Sequence, residues 1–251
     1  MPAATRHSVS PSSALHRIPP LQQGDRLDRI EFERRYDAMP ELKKAELLEG
    51  IVYMPAAAVS DSFHGGPHFN LIAWLGYYLA YTPGIAGGDN SSLRLDLDNE
   101  PQGDAYLRIL QSHGGQARID EDGYVASAPE LIAEVSGSSV SYDLHVKLNV
   151  YRKHGVKEYV VWRVFDAAID WFILRNGQYV RLPLVENIYR SEAFPGLWLE
   201  PDQLVRGEMA SVFKTVQAGL SQKEHGDFVQ QLAEFAVKAK STPAGNGPKI
   251  V

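Results

Sequence analysis

The sequence predicts an α/β fold, a mixed β-sheet core flanked by helices, and three observations carry that expectation. An apolar strand-like segment, PELIAEVS, is followed by the helical stretch YDLHVKLNVYRKHG and then by a second strand-like run, EYVVWRVF. A strand–helix–strand crossover of this length makes its two strands parallel neighbours. Around that pair lie SSLRLDLD, DAYLRIL, AIDWFIL and GQYVRLPL, whose alternation and β-branched or aromatic content read as further strands and hairpins. Apolar helical stretches on both sides of these segments supply cover for such a sheet.

In chain order, residues 1–24 and 238–251 are rich in Pro, Ser, Ala and Gly without hydrophobic period, and are expected to be mobile tails. RLDRIEFERRYDAM spaces Leu27, Ile30, Phe32 and Tyr36 as one side of a short helix with Asp28 as its N-cap. KAELLEGIVYMPA reads as two short strands turning at Glu49-Gly50. From His68 onward, Leu71, Leu75 and Leu79 recur every four residues until Thr82-Pro83-Gly84 stops the helix. In the crossover helix Leu144, Leu148 and Tyr151 share a face, and Gly155 is its C-cap. GEMASVFKTVQAGL and KEHGDFVQQLAEFAVKAK read as amphipathic helices, a C-terminal extension over 206–237 packed on the outside.

Composition narrows the function. Apolar residues make up 44% of the chain and charged ones 22%, which excludes wholesale disorder. A net charge of −6 argues against coating nucleic acid or membrane by bulk charge, while leaving room for a local basic groove. With no cysteine there is no disulfide framework, thiolate metal site or cysteine nucleophile, which fits a reducing compartment. The most apolar stretch, LIAWLGYYLAY, is too short to span a bilayer, so the expectation is a cytoplasmic chain without membrane contact.

Phosphate-loop, nucleophile-elbow and dinucleotide fingerprints are absent. His64 and His68 have the i, i+4 spacing of a zinc pair, but Gly65, Gly66 and Pro67 between them predict a turn rather than a metal-binding helix. What remains is a set of carboxylates near one lysine. Asp104 opens the strand DAYLRIL, and Glu134 lies among Leu131, Ile132, Ala133 and Val135, where a carboxylate needs a cation, a hydrogen bond or solvent. Side by side on adjacent strands, the two would offer hard oxygens to Mg²⁺, with Lys147 on the following helix reaching back to orient or deprotonate a water. The local alternatives stay open: a turn residue at 104, a snorkelling surface charge at 147. Asp143 reads as an early-helix acid favoured by the macrodipole, and Tyr151 as core.

AELLEGIVYMP, His68 before a Leu-rich helix, the QGDA strand, PELIAEVSGSS, YDLHVKLNVYRKHGVKEYVVW and FPGLWLEPDQL together resemble the Uma-type restriction-endonuclease family of the PD-(D/E)XK nuclease superfamily, over roughly residues 25–205. The resemblance implies a restriction-endonuclease-like domain with Asp104 as the motif aspartate, Glu134 as the second carboxylate, and Mg²⁺ or Mn²⁺ between them. It also implies that Glu46 faces the same site, and that DNA is the substrate. Two positions depart from the pattern: Gly103 stands where the family has Pro, and Ser136 where the superfamily has its lysine, which Lys147 would replace from the helix. The local excess of cations after His145 suggests Arg152, Lys153 and Lys157 as phosphate contacts, against a solvated helix face as the alternative. A homodimer is neither required nor excluded, and a catalytically inactive binding or assembly module on the same fold is the competing functional expectation.

Overall fold

The computed structural model describes residues 18–55, 60–137 and 139–241. Of the expected tails, residues 1–17 and 242–251 lie outside the described residues, but the boundaries drawn from sequence shift. Leu21 is buried beside Phe32, Leu47 and Val52, and the Gly24 amide donates to the Val52 carbonyl. At the other end the last helix continues through residue 241.

Helix α1 (Arg29–Asp37) is capped by Asp28, whose carboxylate accepts from the Glu31 amide. Phe32 is buried, whereas Ile30 is 65% exposed, because residues two apart on a helix point in nearly opposite directions. Strands β1 (Glu46–Leu48) and β2 (Ile51–Tyr53) form the expected hairpin, with Glu49 and Gly50 both at positive φ. A π-helical turn, Asp61–Gly65, runs directly into helix α2 (Gly66–Ala80). The expected break at Gly65-Gly66-Pro67 does not occur: Pro67 sits in the first turn of α2, where its missing amide costs no hydrogen bond.

The large sheet follows. Strand β3 (Ile85–Arg94) begins six residues before the segment SSLRLDLD, and Leu97 is left exposed in the turn beyond it. Its first half, IAGGDN, lacks β-type composition; at Gly87 a Cβ would come within 3.0 Å of Leu107 Cδ2, so close packing against the neighbouring strand, not propensity, places it there. Then come β4 (Gln102–Ile109), the two-residue strands β5 (Arg118–Ile119) and β6 (Val125–Ala126), β7 (Leu131–Ser136), β8 (Glu158–Arg163), β9 (Ala168–Arg175) and β10 (Gln178–Arg181). Their order across the sheet is β10-β9-β8-β7-β4-β3-β6-β5. β7 and β8 pair in parallel from Leu131↔Glu158 to Ser136↔Arg163, as the crossover requires, while β4 pairs antiparallel with β7. The crossover is a helical run of α3 (Val140–Tyr142), a π-helical turn (Asp143–Lys147) and α4 (Leu148–Lys153), released at Gly155 with φ 80°.

A small pair, β11 (Tyr189–Arg190) and β12 (Trp198–Leu199), precedes α5 (Pro201–Val205), α6 (Met209–Leu220) and α7 (Lys223–Ser241). Val212, Val216, Phe228 and Leu232 of the last two helices join the same core as Leu71, Trp74 and Tyr78 of α2, so the C-terminal segment completes one face of the sheet rather than lying outside it. Alternation along the strands divides the two faces. Ala105, Leu107, Leu131, Ala133 and Val135 pack on the α2 side, and Tyr106, Ile132, Val150 and Tyr151 on the crossover side. No helix among the described residues is long and apolar enough to cross a membrane.

Candidate active site

Strand alternation decides where the acidic residues go. Asp104 precedes Ala105 on β4 and Glu134 follows Ala133 on β7; Ala105 and Ala133 are register partners, so the two carboxylates fall beside each other on the crossover side of the sheet. Each binds the other strand: the Val135 amide donates to Asp104 Oδ2 at 2.8 Å, and the Asp104 amide to Glu134 Oε2 at 3.3 Å. Gly103 matters here. A Cβ at that position would lie 3.2 Å from Ile132 Cγ2 and 3.7 Å from both Glu134 Oε1 and the Tyr151 hydroxyl, so the glycine leaves room for those two to meet.

The helical run closes over the acids. Lys147 Nζ lies 2.9 Å from Glu46 Oε1, 3.0 Å from Glu134 Oε1 and 3.9 Å from Asp143 Oδ1, with only 3% of its side chain exposed. Tyr151 donates from its hydroxyl to Glu134 Oε1 at 2.9 Å, one turn further on. The π-helical turn rotates Asp143 and Lys147 inward together; such turns are rare and concentrate at functional sites. Asp143, the early-helix acid of the crossover, also accepts from the Ser136 and Ser139 hydroxyls and is a buried member of the cluster. Glu46 reaches in from the hairpin and accepts the Gln102 amide at 2.7 Å.

A second π-helical turn carries His64, and the first turn of α2 that follows carries His68. His64 Nε2 is 3.3 Å from Asp104 Oδ2, His68 Nε2 is 3.0 Å from the Asp104 carbonyl oxygen, and the two rings stack 5.6 Å apart. The sequence reading of this pair as a plain turn is corrected: both imidazoles address the motif aspartate, because the helix is not interrupted between them. Lys44 Nζ stands 3.8 Å from Asp104 Oδ1.

These neighbours pull the two acids apart. Burial raises Asp104, but the His64 hydrogen bond and the Lys44 and Lys147 charges outweigh it and hold its pKa well below the usual carboxylate range. At Glu134 burial dominates, helped by Asp104 and Asp143 against the pull of Lys147, and pushes the carboxyl up to about 8. Burial lowers the Lys147 ammonium, but Glu134, Glu46 and Asp143 more than offset it and keep the pKa well above that of an ordinary lysine. Lys147 is therefore a fixed cation at neutral pH, suited to orienting a water or an anionic group rather than removing a proton.

Asp104, Glu134, Glu46, Asp143 and Lys147 line one cavity of about 370 Å³. Four carboxylates there face two lysines, Lys44 and Lys147, an arrangement short of positive charge. The donor chemistry fits a hard divalent cation. Among the described residues no three His, Asp or Glu side chains form a ready-made cage, so Asp104 and Glu134 would leave much of the shell to water and ligand oxygens, as Mg²⁺ prefers.

The three cations expected to contact phosphate lie elsewhere. Arg152 donates to the Gly177 carbonyl at 2.8 Å, Lys153 pairs with Glu49, and Lys157 is 3.8 Å from Glu130; none lines the cavity. Acids from distant segments, Glu49 and Glu130, stand beside Lys153 and Lys157, which a count of local charges does not see. Sequence reasoning missed Lys44, His64 and His68 as neighbours of Asp104; the i, i+4 histidine spacing was the available signal.

A mixed sheet with two acids on adjacent central strands and a lysine from the crossover defines a restriction-endonuclease-like architecture. Residues 30–202 match the Uma2 family model, described as "Putative restriction endonuclease", and the chain belongs to that family. A crystal structure described as a "putative nuclease belonging to DUF820" from Anabaena variabilis superposes with a TM-score of 0.49 at 11% identity, covering 73% of this chain and 97% of that one. No curated protein matches.

Proposed function

We propose that the chain is a divalent-cation-dependent endonuclease that hydrolyses DNA phosphodiester bonds in the cavity between β4, β7 and the crossover helices. The observation that carries this reading is the meeting of Asp104 and Glu134 on neighbouring strands with Lys147 Nζ 3.0 Å from Glu134 Oε1. Asp104 and Glu134 would hold the ion. Bound there, Mg²⁺ or Mn²⁺ supplies Lewis-acid polarisation of a phosphoryl oxygen and activation of water near neutral pH. Lys147 presents a permanent positive charge to the attacking water and to the negative charge that grows on the phosphoryl oxygens. Glu46 and Tyr151 set its place and that of Glu134, since one contacts the ammonium and the other the carboxylate. His64 and Lys44 keep Asp104 ionised.

Titration calorimetry with Mn²⁺ beside a plasmid-nicking assay tests this. Wild type should bind the ion and nick, and Asp104→Asn and Glu134→Gln should lose both. A folded wild type that binds no divalent cation would sink the proposal. A binding or assembly module is the second reading, favoured by the own-chain partners of Arg152, Lys153 and Lys157; it gains if the ion binds and no DNA is cut.

A further inference from the structure

Phe63 and Phe165 line the same cavity as the acids, yet they are 47% and 61% exposed and their rings lie 4.7 Å apart. Phe63 belongs to the π-helical turn that also carries His64, the neighbour of Asp104, and Phe165 to the turn between β8 and β9. Two independent elements thus set a pair of aromatic faces at the cavity, with their apolar surfaces left to water. The contact between the rings does not account for this, because it leaves about half of each side chain uncovered.

The charges around them say what fits. Affinity for a nucleic acid comes either from cations that neutralise phosphates or from stacking of bases on aromatic rings. The first source is weak at the cavity: the chain carries −6, four carboxylates line the cavity against Lys44 and Lys147, and Arg152, Lys153 and Lys157 do not line it. Arg163, next to the Phe165 turn, is held by Asp166 and Asp170. The second source is present at the cavity itself. Intact duplex hides the faces of its bases, so a stacking platform can engage only an unpaired base.

We propose that Phe63 and Phe165 form a base-stacking platform beside the acidic site, and that the substrate class is single-stranded or locally unpaired nucleic acid, with an unpaired base on the rings and its neighbouring phosphate at the divalent cation that Asp104 and Glu134 would hold. This inference rests on the nuclease reading above and deepens it.

The test is binding of a 12-nucleotide single strand carrying 2-aminopurine, in Ca²⁺, compared with the blunt duplex of the same sequence. Wild type should quench the 2-aminopurine fluorescence and prefer the strand over the duplex by about tenfold or more. Phe63→Ala and Phe165→Ala should each weaken strand binding about tenfold, the scale of one lost base stack, and abolish quenching. Phe63→Leu and Phe165→Leu, which keep apolar bulk and safeguard folding, should behave like the alanine variants, and Phe63→Trp like wild type. Equal or tighter binding of the duplex, or leucine variants that quench as wild type does, would overturn the platform while leaving the nuclease reading intact. A folded wild type that neither binds nor nicks any strand or duplex would take down the nuclease reading, and the platform with it.

Discussion

Glu134 and Glu158 are both buried on the central parallel pair of strands, yet their surroundings are opposite. Glu158, on the α2 side, meets four donors: Trp171 Nε1 at 3.2 Å, the Ser191 hydroxyl at 2.7 Å, and the amides of Glu192 and Ala193 at 2.7 and 2.9 Å. None of them is a cation. Glu134, on the crossover side, faces a cavity, a lysine and three other carboxylates. A carboxylate fully satisfied by neutral donors ties strands and loops together. One placed among like charges is unstable by itself and gains from a further cation. What separates structure from function here is how the charge is met, since burial is the same for both.

Breaking that contrast on the functional side should give the largest effect. Asp104→Asn and Glu134→Gln should lower plasmid nicking by on the order of 10² to 10³ or more, as removal of groups that stabilise developing charge does. Glu134→Gln should not lower Tm, because it relieves repulsion among buried acids, whereas Asp104→Asn should lower it by a few degrees, because His64 and Lys44 stabilise the ionised form. A melting temperature that falls by many degrees would assign Glu134 the structural role of Glu158. Lys147→Met should destabilise by about 3–5 kcal/mol in denaturant titration, since it strands Glu46 and Glu134 without their buried cation. Pairing it with Glu134→Gln should restore part of that loss, a double-mutant test of the contact.

On the structural side, Glu158→Ala should cost about 3 kcal/mol, because the buried Ser191 hydroxyl and Trp171 indole and two backbone amides lose their acceptor. Urea unfolding measures it, and metal binding should be unchanged. Glu100 sharpens the comparison from a third position. Its Oε2 is buried without a hydrogen-bond partner, and burial together with Glu33 pushes its pKa up to about 8. The folded state therefore keeps a proton that the unfolded chain releases near the usual 4.5. This contribution is fully present below that pH and is lost as pH rises through about 8. Glu100→Gln should leave Tm alike at pH 5 and raise it by a few degrees at pH 9, about 1–2 kcal/mol. The smallest change belongs to the exposed Lys153–Glu49 pair, where Lys153→Ala should move stability by less than about 0.5 kcal/mol and strand binding hardly at all.

Much of this was legible in the chain. Periodicity located α1, the β1–β2 hairpin, α2 and the crossover, and the crossover implied the parallel β7–β8 pair. A carboxylate among apolar strand residues marked Glu134, Asp104 on another strand-like segment and Lys147 on the following helix stood out beside it, and the family resemblance added Glu46. The opening half of β3 escaped because Gly87 and Gly88 have no β-type signature, and β5 and β6 because two residues are too short for a period. The burial of Asp143 is not legible because a sequence does not announce a π-helical turn, and the acids beside Lys153 and Lys157 come from segments far away in the chain.

The sequence by itself determined which residues alternate and which repeat every turn, and therefore which face of each strand or helix is apolar. These are local properties, carried by neighbours a few positions apart. Only the tertiary structure decided that Glu46, Asp104, Glu134 and Lys147, drawn from a hairpin, two strands and a helix, share one cavity. It alone brought His64 to Asp104 and two phenylalanines beside them. Such meetings depend on strand register and on helix turns that depart from the regular repeat, and these are set by packing between segments far apart in the chain.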